Sequence, residues 1–152
     1  MDYDPLARIV LPKQGSYILI SEVSGEAEIV VGALGAVAFH KGYYAYVGSA
    51  LGGLYARLSR HLGNHKKLHW HIDYLLLRAT ITSVIVCGSQ ERRECAIAEK
   101  LGSGYRVIPG FGSSDCSCAG HLFFSPSNMT AGVMNLLELA GMEPQNITIP
   151  PE

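Results

Sequence analysis

The chain carries few charges, and neither sign is in clear excess. Only 16% of its 152 residues are Asp, Glu, Lys or Arg, and its formal net charge is −1. Overall charge therefore does not indicate a nucleic-acid partner, which has to be inferred from local patches. The sequence also has no apolar run of signal-peptide length at its start, and none of the roughly 20 residues that a membrane-spanning helix needs. We expect a cytoplasmic protein with no membrane contact.

Cysteine is absent from the first half of the chain. The four cysteines are Cys87, Cys95, Cys116 and Cys118. In a reducing compartment, such clustering favours free thiols or a metal site over a framework of disulfides. With 48% hydrophobic residues, the chain is long and apolar enough to bury a core as one globular domain.

The apolar pattern predicts an α+β fold, with a small, mainly antiparallel sheet flanked by helices. Runs of β-branched and aromatic residues predict strands over 16–23, 27–35, 36–40, 43–47, 82–88 and 121–124. We expect 36–40 and 43–47 to pair as a hairpin or to flank a bulge.

Helical spacing of apolar residues predicts three further elements. The predicted helices cover 54–62, ended by Gly63, then 89–102, capped by Ser89, and 130–141. We interpret 66–79 as a second helix or a mixed segment, 104–120 as a loop rich in glycine and serine, and 143–152 as a frayed tail.

The stretch "GYYAYVGSALGG", residues 42–53, places three tyrosines just before a glycine turn. Strand tyrosines usually serve packing. Here, however, Arg57 and His61 follow in the next helix, four residues apart and therefore on one helix face. If that helix packs on the sheet, the guanidinium, the imidazole and tyrosine hydroxyls converge. Such a cluster suits a phosphate, because arginine can grip its oxygens while tyrosine or histidine acts on a water.

At these residues the sequence resembles the GIY-YIG nucleases. "GSY" at 15–17 matches the first half-motif, "YVG" at 46–48 matches the second, and Arg57 and His61 occupy the positions of two further family residues. The downstream stretches "HWHIDYL", "GFGSSDCSC" and "HLFF" resemble one branch of that superfamily, whose domain occurs alone or fused to DNA-repair enzymes.

The resemblance divides the chain into three segments. Residues 1–14 form a lead-in, 15–126 form the GIY-YIG-like domain with its branch extension, and 127–152 form a closing helix and tail. The resemblance implies hydrolysis of a phosphodiester by water, with one Mg²⁺ or Mn²⁺ held by a helix glutamate. It implies catalytic roles for Tyr17, Tyr46, Arg57 and His61, and for a glutamate of the predicted helix over 89–102, which we expect to be Glu94.

Two glutamates compete for the metal. Glu94 shares a helical stripe with apolar residues and should face the core, which favours it. Alignment of the glutamate pair found in the family's repair nucleases favours Glu99 instead. We expect Glu94, with Glu99 as the alternative.

A run of basic and aromatic residues follows the predicted first helix. It contains Arg60, His65, Lys66, Lys67, His69, Trp70 and His71. Such a run is usually a solvated surface, but cations interleaved with an aromatic ring also suit a nucleic-acid backbone and base. Asp73 would then orient a histidine or pair with a lysine.

A second potential metal site lies in "DCSCAGH". Cys116, Cys118 and His121 could support a structural Zn²⁺, for which Cys95, His69 or His71 would supply a fourth ligand. The alternative is that these side chains simply pack under the glycine loop or support the active edge.

The sequence therefore predicts a metal-dependent endonuclease that acts on DNA, with repair or recombination as its expected context and a repair protein as a further partner. Two alternatives stay open on the same fold: a non-catalytic nucleic-acid binding module and a zinc-stabilised interaction domain. The first is favoured by Ser49, which stands where many family members have lysine, and by the absence of the family's usual asparagine context after the glutamate helix.

Overall fold

The computed structural model describes residues 4–63, 67–113 and 116–151. Within these ranges the chain forms an α+β fold, as predicted. Its eight strands are β1 (Gly15–Val23), β2 (Ala27–Val30), β3 (Ala36–Phe39), β4 (Gly42–Ala50), β5 (Thr80–Gly88), β6 (Arg106–Val107), β7 (Leu122–Ser125) and β8 (Gln145–Thr148). Its four α-helices are α1 (Leu54–Leu62), α2 (His71–Leu75), α3 (Glu94–Gly102) and α4 (Thr130–Leu139).

Six of the strands form one antiparallel sheet in the order β6-β7-β4-β1-β5-β8, and β2 and β3 pair in a separate antiparallel ribbon. The central strands β1, β4 and β5 are buried along almost their whole length. They are covered on both faces, so their apolar residues run nearly without interruption instead of alternating with polar ones.

Helices pack on both faces of the sheet. On one face, Tyr17 and Leu19 of β1 pack with α1, α2 and the small ribbon. On the other face, Ile18 and Ile20 pack with α3 and α4. Side chains alternate along a strand, so neighbouring residues of β1 serve two different cores. The tyrosines of the GIY-YIG-like half-motifs belong to the α1 and α2 side.

Two predictions about strand pairing are wrong, that of a hairpin over 36–47 and that of an unpaired tail. Residues 36–40 do not pair with 43–47, because β3 pairs with β2 while β4 pairs with β1 and β7. The tail is not frayed, since β8 pairs with β5 and forms an edge of the main sheet. β3 therefore still has a local partner, whereas β4 and β8 pair with strands that are distant in sequence.

Two local predictions also need correction. Ser89 does not cap α3: its hydroxyl accepts a hydrogen bond from the Glu91 amide, and the helix begins later, at Glu94. The predicted loop over 104–120 contains the short strand β6. Gly63 does end α1. None of the helices in the described ranges is both long and apolar enough to cross a bilayer.

Candidate functional site

A buried tyrosine and histidine pair forms the centre of the site. Strand β1 supplies Tyr17 and helix α1 supplies His61, and the Tyr17 hydroxyl lies 2.8 Å from His61 Nε2. Gly48 on β4 is the register partner of Tyr17, and any Cβ there would collide with the Tyr17 phenol ring. The glycine of "YVG" is therefore needed for Tyr17 to lie across the neighbouring strand.

Tyr46 completes an aromatic cluster with this pair. Its ring centre lies 6.5 Å from that of Tyr17 and 6.3 Å from that of His61. Gly112 covers it from the loop between β6 and β7: its φ is +71°, and an added Cβ would lie 3.0 Å from the Tyr46 ring. Both the backbone angle and the close approach favour glycine at this position.

Burial sets the protonation of both tyrosines. It raises the pKa of Tyr17 to about 12, although the nearby charge of Arg57 opposes the rise. Burial also raises the pKa of Tyr46 well above its usual range, and the charges of Tyr17 and Glu94 add to the rise while that of Arg57 opposes it. Both hydroxyls therefore carry their proton at neutral pH.

Arg57 is held beside this cluster by a backbone oxygen and an aromatic ring. Its Nη1 donates a hydrogen bond of 3.0 Å to the Ser49 carbonyl. Its guanidinium carbon lies 4.5 Å from the centre of the Trp70 ring, within the range of a cation–π interaction. These contacts hold the planar guanidinium next to Tyr17, where it can present donors to an anion.

Asp73 pairs with Arg60, and not with a histidine or a lysine as expected. It is fully buried and accepts two hydrogen bonds from Arg60, of 2.8 and 2.9 Å, and further ones from the backbone amides of His69 and Trp70. It therefore pairs with an arginine, and not with a lysine or a histidine ring. Arg60 lies 4.3 Å from the Trp70 ring centre, so the Arg60–Asp73 pair fixes Trp70 beside Arg57.

Replacing Asp73 by Asn should destabilise the protein by about 3 kcal/mol, because it leaves the Arg60 charge without its buried counter-ion. Burial opposes ionisation of Asp73, but the hydrogen bonds from Arg60 and the two amides outweigh it and lower the pKa from 3.8 to about 2. Since the folded-state pKa is the lower one, this stabilisation is complete above about pH 4 and is lost as the pH falls towards 2.

Urea unfolding of the parent and Asp73→Asn between pH 7 and pH 2.5 measures this effect. The stability difference should shrink by about 2 kcal/mol at the acid end, since each pKa unit corresponds to about 1.4 kcal/mol. Glu91→Gln is the control, because Glu91 is exposed and lies 4.0 Å from Arg93 in a weak surface pair. A constant difference between parent and Asp73→Asn across this range would contradict the assignment.

The basic run does not form a uniform cationic surface. Lys67 and His69 are exposed, and the His69 ring lies beside Trp70. His71 is instead turned inward: its Nδ1 accepts a hydrogen bond of 2.8 Å from the Gly112 amide, and burial lowers its pKa. The remaining predicted contacts, His65 and Lys66, lie outside the described residues.

The two glutamates of α3 occupy different environments. Glu99 is exposed. Glu94 is the first residue of the helix, with a side chain that is 18% exposed and an Oε1 atom 3.5 Å from the Arg92 guanidinium. Its Oε2 atom is buried and accepts no hydrogen bond from the described part of the chain. A buried carboxylate oxygen without a donor is the expected state of a cation ligand, so the geometry favours Glu94.

Four soft ligands form a cluster on the α3 side of this edge. One ligand atom each from Cys95, Cys116, Cys118 and His121 lie within 4.8 Å of one another. His121 Nε2 is 3.8 Å from the Cys95 sulfur and 3.5 Å from that of Cys116. Zn–S bonds of about 2.3 Å and Zn–N bonds of about 2.0–2.1 Å in a tetrahedron separate sulfur and nitrogen by about 3.6 Å. The cluster can therefore bind a metal ion, with Cys95 as the fourth ligand.

The pKa values of two thiols in this cluster, those of Cys95 and Cys118, are raised. A hydrogen bond with Cys118, together with burial, raises the pKa of Cys95 to about 12. Burial also raises the pKa of Cys118 and lowers that of His121. Metal binding must therefore displace protons from the sulfur ligands. Asp115, beside the cluster in sequence, lies outside the described residues.

Three features of the site were not identified from the sequence. The hydrogen bond from Arg57 to the Ser49 carbonyl uses a backbone atom, which the residue type does not reveal. The Arg60–Asp73 pair joins positions that are 13 residues apart. The loop that packs over Tyr46 is marked in the sequence only by the two glycines of "GFG". His69 and His71 were alternatives for the fourth metal ligand, and only the fold selects Cys95.

The comparisons with known proteins place the chain in a family without assigning it an activity. A family model described as "Domain of unknown function DUF123" matches residues 16–142. The comparisons with curated proteins and with solved structures found no match. The matched range contains both tyrosines of the half-motifs, all of α1 to α4, and the four ligands of the cysteine and histidine cluster. The chain therefore belongs to the DUF123 family.

Proposed function

We propose that this protein is a metal-dependent endonuclease of the GIY-YIG type that hydrolyses phosphodiester bonds in DNA. One observation carries the proposal: Tyr17, Tyr46, Arg57 and His61 converge from two strands and one helix, and Glu94 of a second helix is close enough for its charge to act on both tyrosines. Packing alone does not require an arginine, a histidine and a partly buried carboxylate at one end of a sheet.

Glu94 is the residue that would hold the divalent ion. Its buried Oε2 atom without a hydrogen-bond donor fits a hard cation, and one carboxylate is enough when phosphate oxygens and waters fill the other positions. When bound, Mg²⁺ or Mn²⁺ would polarise the phosphate and stabilise its developing negative charge.

Arg57 and the Tyr17–His61 pair supply the remaining chemistry. Arg57 would donate hydrogen bonds to the scissile phosphate through the guanidinium N–H groups that do not bind the Ser49 carbonyl. Tyr17, with a pKa of about 12, is not a phenolate at neutral pH. It can still accept a proton from the attacking water while its own proton passes to His61 Nε2, which lies 2.8 Å away. The buried hydrogen bond to His61 thereby allows the neutral Tyr17 hydroxyl to act as the base.

The DNA backbone would approach over the exposed part of the basic run. Lys67 and His69 are accessible for phosphate contacts, and the Trp70 ring packs against both His69 and Arg57. Arg60 and His71 serve this surface indirectly, because their hydrogen bonds to Asp73 and Gly112 hold the segment in place.

A cleavage assay tests this proposal. The protein is incubated with linear, nicked, flapped and branched DNA in Mg²⁺ and in Mn²⁺, and equilibrium binding is measured in parallel at fixed salt. The proposal expects metal-dependent cleavage of at least one substrate. Tight binding without cleavage would instead identify a nucleic-acid binding module, while neither binding nor cleavage would favour a zinc-stabilised interaction domain.

We also propose that the four-ligand cluster of Cys95, Cys116, Cys118 and His121 holds Zn²⁺. Three thiolates and one imidazole form a closed tetrahedral set that is typical of structural zinc. Such thiols require a reducing compartment, which agrees with a cytoplasmic location.

The purified protein should contain close to one zinc per chain, measured by inductively coupled plasma mass spectrometry. Removal of the metal should lower the melting temperature by roughly 6–12 °C if the site contributes about 3 kcal/mol, since 1 kcal/mol corresponds to about 2–4 °C in a domain of this size. Metal-free protein with an unchanged melting temperature would show that the four side chains only pack together.

A further inference from the structure

The cysteine and histidine cluster joins two segments that are distant in sequence. Cys95 lies in the first turn of α3, whereas Cys116, Cys118 and His121 lie between β6 and β7. A metal ion bound to all four would therefore fasten the start of α3 to the segment that leads into β7.

Each of these two segments also forms part of the candidate active site. In the segment before β7, the His121 carbonyl accepts a hydrogen bond of 2.9 Å from the Val47 amide, next to Tyr46 in β4. The His121 amide donates a hydrogen bond of 2.7 Å to the Phe111 carbonyl, and the following Gly112 packs on the Tyr46 ring. The position of His121 therefore determines where Gly112 and its loop pack against Tyr46.

The start of α3 holds Glu94 directly before Cys95. The helix N-terminus has no side-chain cap, since Arg93 at the N-cap position makes no capping hydrogen bond. Uncapped first turns tend to fray. Within the described residues, the Glu94 side chain has one ion pair, the 3.5 Å contact with the exposed Arg92. Attachment of Cys95 to a metal would supply the restraint that a cap normally provides.

We infer that the four-ligand cluster is a positioning centre that holds Glu94 and Tyr46 in place, so that its metal content regulates the proposed endonuclease site. The regulation of cleavage rests on the proposed function. The coupling of the cluster to Glu94 and Tyr46 does not depend on catalysis. The other half of the site is coupled to the cluster less directly, because α1, the Trp70 ring and the Arg60–Asp73 pair position Arg57 and His61. One link to the loop is the hydrogen bond from the Gly112 amide to His71 in α2.

Hydrogen–deuterium exchange with zinc-loaded and zinc-stripped protein measures the coupling directly. A chelator can reach the metal, because Cys95 and Cys118 line an open cavity of about 700 Å³. Zinc removal should speed exchange about tenfold or more in 94–98 and 108–112, while α1 should change by less than about twofold. Mn²⁺ affinity, measured by electron paramagnetic resonance, should fall about tenfold or more, and added Zn²⁺ should restore both.

A matched pair of variants separates this effect from general damage. Cys118→Ala removes a ligand, whereas Cys87→Ala removes a buried thiol on β5 that is not part of the cluster. We expect the exchange and Mn²⁺ effects only in Cys118→Ala. If that variant unfolds, Cys118→His provides the comparison: it keeps a zinc-binding side chain and should recover zinc, slow exchange and Mn²⁺ affinity together.

The outcomes distinguish this inference from the proposed function. Equal exchange of 94–98 in zinc-loaded and zinc-stripped protein would overturn the coupling, even if the parent cleaves DNA. Conversely, zinc-dependent exchange in a parent that neither binds Mn²⁺ nor cleaves would support the coupling and contradict the endonuclease. A Cys118→His variant that recovers zinc but not slow exchange would also overturn it.

Discussion

Glu94→Gln should reduce DNA cleavage by a factor on the order of 10³ or more, with folding and DNA binding nearly unchanged. The substitution removes the negative charge of the metal ligand and keeps its volume. Loss of a bound divalent ion costs several kcal/mol of transition-state stabilisation, and each 1.36 kcal/mol is a factor of ten in rate. Single-turnover cleavage in saturating Mg²⁺, together with Mn²⁺ binding, measures the two effects separately.

Glu99→Gln is the matched control, because it makes the same chemical change on the same helix at an exposed position. Its cleavage rate and Mn²⁺ affinity should equal those of the parent. Full activity in Glu94→Gln with loss in Glu99→Gln would transfer the metal to Glu99. Full activity in both variants would remove the carboxylate from the mechanism.

The central strands could be predicted because their sequences leave little choice. β1 and β5 are buried along nearly their whole length, and their runs of Ile, Val and Leu are typical of buried strands. Which strands pair with each other is harder to predict from the sequence. The strand β8, with only Ile147 buried, has too few apolar residues to mark it as part of a sheet. Its place depends on β5, which is about 60 residues earlier and offers it an unpaired edge.

Residue types in the site could be predicted, but not which residue has which partner. Arg57 and Arg60 lie one turn apart on α1, and nothing in their side chains distinguishes them. The fold does so: Arg60 reaches the buried carboxylate of Asp73, while Arg57 reaches the Ser49 carbonyl at the end of β4. A buried ion pair and a backbone acceptor both depend on how α1 and α2 pack on the sheet, which one sequence does not show.

This difference between the two arginines leads to the prediction with the sharpest contrast. Arg57→Lys should bind DNA with nearly parental affinity yet cleave it more slowly by a factor on the order of 10²–10³. Lysine keeps the charge, but it loses the planar fork that can donate two hydrogen bonds to phosphate oxygens as negative charge develops. It also weakens the stacking against Trp70, which lies 4.5 Å from the Arg57 guanidinium.

Single-turnover cleavage and equilibrium binding at fixed salt, for the parent and Arg57→Lys, measure this contrast. Lys41→Arg is the control, because it exchanges the same two residue types at an exposed position in the turn between β3 and β4 and should leave cleavage unchanged. A binding module would give no cleavage in any of the three proteins, and only a modest, salt-dependent change of affinity in Arg57→Lys. Equal cleavage by the parent and Arg57→Lys would remove Arg57 from catalysis. The convergence of Arg57 with Tyr17 and His61 would then be a matter of packing between α1 and β1.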